Sequence, residues 1–225
     1  MHLLSRRRFI KSAGALLALP SSFLRDPYAP LVRPQRAATP VRVRGAVRSE
    51  GRGLIDVGVT DGRTVTRTGT DGSFEIVTDS RQPFVYVSTP GGYQIKRSGT
   101  GTAQFYQPIV PYAEGEAEAT FDLIPIQERS DNHAFLVWAD TQTQNDFEMR
   151  LLHQQTVPDA IKTIGQLGDQ DIFGVACGDI MFDDLSLYPE YERAVRRIDL
   201  PFFQVVGNHD LDFDAGSDPG SVRTF

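Results

Sequence analysis

Three short polar clusters hold the side chains of this sequence best suited to chemistry. Asp140-Thr141-Gln142 places a carboxylate and a side-chain amide two positions apart, and Gly178-Asp179 adds a carboxylate behind a glycine. Gly207-Asn208-His209-Asp210 supplies an amide, an imidazole and a further carboxylate. Carboxylate and amide oxygens bind hard or borderline divalent cations, and an imidazole beside them can ligate metal or move a proton near neutral pH. Each cluster ends an apolar run: Phe135–Ala139, Ile172–Cys177 and Phe202–Val206. Short apolar runs bounded by glycine and aspartate read as strands of an α/β sheet buried on both faces, and ligands bind where the open ends of such strands gather.

The segments between these runs must bring the clusters together. Phe147–Leu152 opens a helical pattern that Pro158 interrupts, and a second pattern from Asp159 to Leu167 stops at Gly168. A third covers Pro189–Ile198 and precedes Pro201. Strand, helix, strand, helix, strand is an α/β layout. Upstream, from Val41 to Ile126, the pattern is all-β. Strand candidates are Val41–Arg48, Leu54–Val59, Thr64–Thr68, Ser73–Thr78, Pro83–Ser88, Ala103–Val110 and Ala119–Ile126. Asp61-Gly62, Asp71-Gly72 and Pro90-Gly91-Gly92 mark turns between them, and the set predicts a β-sandwich. The fold class expected is α+β overall, with the sandwich in residues 39–128 and an α/β region in 133–225. Gln127–Asn132 forms a polar boundary.

The composition is that of an ordinary globular chain, 40% hydrophobic and 23% charged, with no apolar run long enough to span a bilayer. Its formal charge of -6 is unevenly spread. Residues 1–36 hold seven Lys or Arg and one Asp, which leaves 16 basic against 28 acidic residues in the rest, or -12. That balance disfavours nucleic acid and stable anchoring on an anionic membrane. The single cysteine, Cys177, excludes an internal disulfide and, inside an apolar run, reads as a buried small hydrophobe. Trp138 reads as core, and His133 and His153 as surface or packing residues.

Residues 1–38 read as an address and linker. Ser5-Arg6-Arg7-Arg8-Phe9-Ile10-Lys11 matches the twin-arginine pattern, and the apolar stretch Ala13–Leu19 ends at Pro20. The stretch is too short for a membrane helix, and cleavage is expected between about Ser22 and Ala38. The partner implied is the twin-arginine export machinery, and the destination is periplasmic or extracellular.

In order and wording, the three clusters resemble the calcineurin-like metallophosphoesterases. That family carries Asp-x-His or Asp-x-Gln, then Gly-Asp, then Gly-Asn-His-Asp or Gly-Asn-His-Glu; here the resemblance covers about residues 133–214. It implies that the α/β region is the first half of a metallophosphoesterase sandwich holding two divalent metal ions, Mn, Fe, Zn or Mg. In two-metal sites the ions lie about 3.5–4 Å apart, clamp phosphate oxygens and generate a hydroxide. The resemblance makes Asp179 the bridging ligand, assigns Asp140 and Gln142 to the first metal and Asn208 to the second. His209 lies beside the substrate as a catalytic residue. An acidic residue after the bridge orients this histidine; Asp183 is the better candidate and Asp184 the next. Gln142 replaces the commoner histidine, which tilts metal preference from zinc toward manganese, magnesium or iron. Asp210 is expected to shape its loop by hydrogen bonding. Phosphomonoester, phosphodiester and nucleotide substrates are all compatible with the resemblance, and the acidic balance leans toward small phosphate esters over polymeric nucleic acid.

The run Gly69–Ile76 after Gly53–Val57 resembles the carboxypeptidase-regulatory type of sandwich, a module that some exported members carry ahead of the catalytic domain. The family completes its metal site with histidines from later strands, and none follows His209. The chain is therefore expected to be the N-terminal part of a longer phosphoesterase and a poor catalyst alone. The alternative is a secreted, non-catalytic β-sandwich binding module with a vestigial phosphoesterase half.

Overall fold

Val41, Val43 and Val47 point inward while Arg42, Arg44 and Arg48 point out, and this period of two forms β1 (Pro40–Ser49). The computed structural model describes residues 38–112, 115–126, 132–168, 170–216, 218–223 and 225. The twin-arginine segment, the apolar stretch after it, Glu114 and the Gln127–Asp131 boundary lie outside these described residues. Residues 39–225 form one compact unit.

Eight further strands follow: β2 (Arg52–Gly53), β3 (Gly58–Thr60), β4 (Val65–Arg67), β5 (Ser73–Asp79), β6 (Phe84–Val87), β7 (Tyr93–Ile95), β8 (Tyr106–Pro108) and β9 (Glu116–Pro125). One sheet runs β2-β1-β9-β7 with β5 also on β1, and the other runs β4-β3-β6-β8. Both contribute to a single core that includes Val43, Val47, Phe74 and Phe121 from the first sheet and Val59 and Val85 from the second. The sandwich is as the alternation predicts, but some elements differ, among them the added two-residue β2. Leu54–Val57 is a turn, because Asp56 adopts φ 61 and its N–H donates to the Thr68 carbonyl, so the strand begins at Gly58. Tyr93–Ile95 is an added strand on β9, too short to show an alternation. Glu116 and Glu118 belong to β9, and Glu116 pairs with Arg44 at 3.2 Å.

The second layer set is parallel: β10 (His133–Trp138), β11 (Asp171–Cys177) and β12 (Phe202–Val205), with β11 central. The crossovers contain α1 (Asp146–Leu151), α2 (Val157–Gln166) and α3 (Tyr188–Ile198). Asn145 caps α1 by accepting from the N–H groups of Phe147 and Glu148. Pro158 does not break the chain into separate helices as predicted. A π-helical turn, Leu152–Thr156, joins α1 to α2 and widens the ladder where proline lacks an N–H. Gly168, at φ 68, ends α2 as expected.

Helix-facing residues of the three strands join a core with Trp138, Met149, Tyr191, Val195 and Phe202. The other face departs from the expectation of burial on both sides. Phe135 is 63% exposed, Val137 47% and Val205 54%, because the described helices cover one face only. Cys177 falls on this second face by strand alternation and is exposed, which corrects its reading as a buried hydrophobe.

The sandwich is joined to the parallel sheet by backbone. Thr102 forms a parallel bridge with Phe202, the Ala103 N–H donates to the Phe202 carbonyl at 2.9 Å, and Phe105 packs on Phe203 at 5.1 Å. Gly174 makes room for the fully buried Phe202, since a Cβ there would lie 2.2 Å from the ring. Gly174→Ala should destabilise the fold by about 1–3 kcal/mol through overpacking. Chemical denaturation checks this, and an unchanged midpoint would show that the ring can move aside at no cost.

Candidate metal and catalytic centre

Parallel pairing of β10, β11 and β12 delivers all three polar clusters to the carboxyl ends of adjacent strands. Backbone bonds then fasten the loops to one another. The Gln142 N–H donates to the Asp179 carbonyl at 2.9 Å, the Phe182 N–H to Thr143 at 3.1 Å, and the Asp183 N–H to His209 at 3.2 Å. Thr143 and Met181 form a parallel bridge that extends the β10–β11 pairing past the strand ends.

Four of the predicted residues adopt left-handed backbone: Asp140 at φ 48, Gln142 at φ 43, Asp179 at φ 46 and Asp183 at φ 64. Non-glycine residues avoid this region at a cost of order 1–3 kcal/mol, and such conformations cluster at functional sites. Glycines permit the close approach of the loops. A Cβ on Gly207 would sit 2.1 Å from the Asp179 nitrogen and carboxylate, while Gly178 takes φ 83 against Gly207.

At the centre, Asp179 Oδ1 accepts from the His209 N–H at 3.1 Å, and Oδ2 faces the Gln142 amide at 3.5 Å. His209 Nδ1 lies 2.9 Å from Asp183 Oδ1. With Nδ1–H donating to that carboxylate, Nε2 is the nitrogen left for other work. Asp184 does something else: its carboxylate accepts from the Ser186 N–H and hydroxyl and caps a helical turn. Asp140 and Asn208 are exposed at the ends of β10 and β12, beside the same cluster in the chain. His153 packs on α3, with Nε2 3.1 Å from the Glu190 carbonyl, and exposed His133 lies 3.6 Å from Asp171.

Sequence reasoning did not single out Phe182 as a site residue. Its ring stacks on His209 with centroids 4.2 Å apart, so the imidazole is held by a flat apolar surface as well as by Asp183. Tyr188, one residue ahead of the predicted helix, also carried no signal, yet its hydroxyl donates to Asp210 at 2.9 Å. Burial, with Asp210 next to it, pushes the Tyr188 phenol far above its ordinary value, so it stays protonated and donates. Asp210 is fully buried and also accepts from the N–H groups of Ile180, Met181 and Gly207.

Among the described residues, no three His, Cys, Asp or Glu side chains gather as a ready cation cage. Two of the four expected ligands, Gln142 and Asn208, are amides. The residue types nevertheless suit a hard or borderline divalent cation, two carboxylates and two amides, with the Gln142 amide nitrogen turned toward Asp179 Oδ2.

Residues 41–125 match the family model described as the N terminal of Calcineurin-like phosphoesterase. The match supports the phosphoesterase family. It falls on the sandwich β1–β9, upstream of the loops that carry Asp140, Asp179 and His209. No curated protein matches the chain.

The hydrogen bond to Asp183 raises the His209 pKa above its ordinary value, with Asp179 and Asp210 adding attraction for the proton. A raised folded-state pKa means that the pair stabilises the fold below about pH 6.5, and that this contribution is lost as pH rises through the folded value. Asp183→Asn should therefore lower the His209 titration midpoint in proton NMR. A midpoint that stays put would mean that Asp183 does not hold the imidazolium.

Proposed function

We propose that this chain acts as an exported, dinuclear-metal phosphoesterase that hydrolyses small phosphate monoesters or diesters. The observation that carries the reading is the contact of Gln142 and His209 with Asp179, and of His209 with Asp183, at the ends of three parallel strands, with Asp140, Gln142, Asp179 and Asp183 in left-handed backbone. The family match on the sandwich supports it from an independent part of the chain.

In this reading Asp140, Gln142, Asp179 and Asn208 would hold the metals, with Asp179 shared. Bound divalent metal supplies Lewis acidity toward phosphate oxygens and lowers the pKa of water to near neutrality. The chain's own contribution is orientation and proton control. Asp183 fixes the imidazole so that Nε2 of His209 can face the substrate, and the raised pKa keeps a proton available for the departing alkoxide oxygen. Phe182 limits rotation of the ring. The sandwich joins β12 by backbone and braces the third loop.

Elemental analysis of the purified chain should find divalent metal that is lost in Asp179→Asn. Hydrolysis of p-nitrophenyl phosphate and of its bis ester should fall at least about 100-fold in His209→Ala. Metal-free wild-type protein without hydrolysis of either ester would favour the second reading, a secreted binding module. That reading draws on one observation: among the described residues no three His, Cys, Asp or Glu side chains are placed to hold a metal ion.

Export by the twin-arginine route belongs to the same proposal and rests on Ser5–Lys11. Replacing Arg6 and Arg7 together with lysine should retain the protein in the cytoplasm on cell fractionation. Continued export of that variant would remove the twin-arginine assignment.

A further inference from the structure

We propose that Tyr188 is a positioning residue for the candidate metal centre, acting through Asp210; the metal-centre half of this statement rests on the function proposed above. A carboxylate with no solvent contact needs a full set of donors, because an unpaired buried charge is costly. Asp210 Oδ1 accepts three hydrogen bonds, from the Ile180 N–H at 2.9 Å, the Met181 N–H at 3.0 Å and the Tyr188 hydroxyl at 2.9 Å. Its Oδ2 accepts from the Gly207 N–H at 2.8 Å.

These donors belong to different parts of the site. Ile180 and Met181 directly follow Asp179, and Gly207 directly precedes Asn208. One carboxylate therefore holds the loop of the expected bridging ligand through one oxygen and the loop of the expected amide ligand through the other. The direct bond from the His209 N–H to Asp179 Oδ1 crosses the same gap.

Tyr188 differs from the other donors in its origin. It is the first residue of α3, it is buried in the core of the parallel layer, and its ring packs edge-on to Phe225 at 6.0 Å. A phenol has few torsions, so a packed ring fixes the direction of its O–H. The hydroxyl sets the plane of the Asp210 carboxylate, and that plane decides whether Oδ1 and Oδ2 can serve both loops at once. Without it the carboxylate can rotate, and the spacing between Asp179 and Asn208 loosens while the helix remains in place.

Tyr188→Phe keeps the ring and deletes only the donor. Val195→Ala is the control, since Val195 is fully buried on the same helix and its truncation leaves a cavity without touching Asp210. Two readouts are compared: amide hydrogen exchange across the full chain, and manganese affinity by calorimetry. Tyr188→Phe should speed exchange at Ile180, Met181 and Gly207 at least tenfold relative to amides within β11. It should also weaken manganese binding about 10-fold or more, as loss of outer-shell partners does. Val195→Ala should lower thermal stability without the selective exchange or the affinity loss.

If both variants accelerate exchange uniformly and lose affinity in step with stability, Tyr188 is only a packing residue and the proposal is overturned. Unchanged exchange at the three amides in Tyr188→Phe overturns it as well. Wild-type protein that binds no manganese refutes the metal reading instead, and the exchange comparison still decides whether Tyr188 sets the two loops.

Discussion

A carboxylate sealed from water is the constraint around which the site is arranged. Asp210 cannot remain charged in its position without donors on both oxygens, and the donors within reach are peptide groups of the two neighbouring loops and one phenol. Satisfying that charge fixes where Asp179 and Asn208 stand relative to one another. The left-handed backbone at Asp179 and the absence of a side chain at Gly207 follow from the same closeness, since neither loop could approach the other with ordinary geometry and a Cβ in the way.

Support for this arrangement comes from both sides of the parallel sheet. The helices bury Trp138, Ala176 and Phe202 on one face and hold the strands in register. The sandwich adds Gly101–Ala103 to the edge of β12, with Gly101 in left-handed backbone where a side chain would collide with α3. An edge strand otherwise presents unpaired peptide groups, so this pairing covers a liability while it fixes the strand that leads into Gly207–Asp210. The sandwich thus contributes to the site without placing a side chain in it. The family match on the sandwich is consistent with that relationship.

The opposite face of the sheet carries Phe135, Val137 and Val205 with substantial exposure. Apolar runs in this chain do report strands, but a run shows only that both faces are apolar. Whether both are covered depends on which layers pack against them, and among the described residues only one face has its helices.

Much of the architecture was legible because it depends on short-range rules. The alternation of valine and arginine in β1, the glycine stop at Gly168 and the glycine-bounded apolar runs specify strands and helix ends locally. The three clusters could be recognised as one site because parallel strands place their carboxyl ends along one edge. What the sequence could not specify arises from contacts between residues far apart in the chain. It could not choose finally between Asp183 and Asp184, because that depends on the backbone at φ 64, which aims Asp183 at His209 while Asp184 turns to cap a helix. It could not show the π-helical turn ahead of Pro158, the exposure of Cys177 or the stacking of Phe182 on the imidazole. Nor could it show Tyr188 meeting Asp210, a contact that exists only once α3 has packed beneath the loops. Local propensity fixed the elements, and the resemblance of the three clusters named the candidate ligands; the packing of elements distant in sequence decided which side chains meet, because hydrogen bonds and steric fit act over a few ångströms and no spacing in the chain records them.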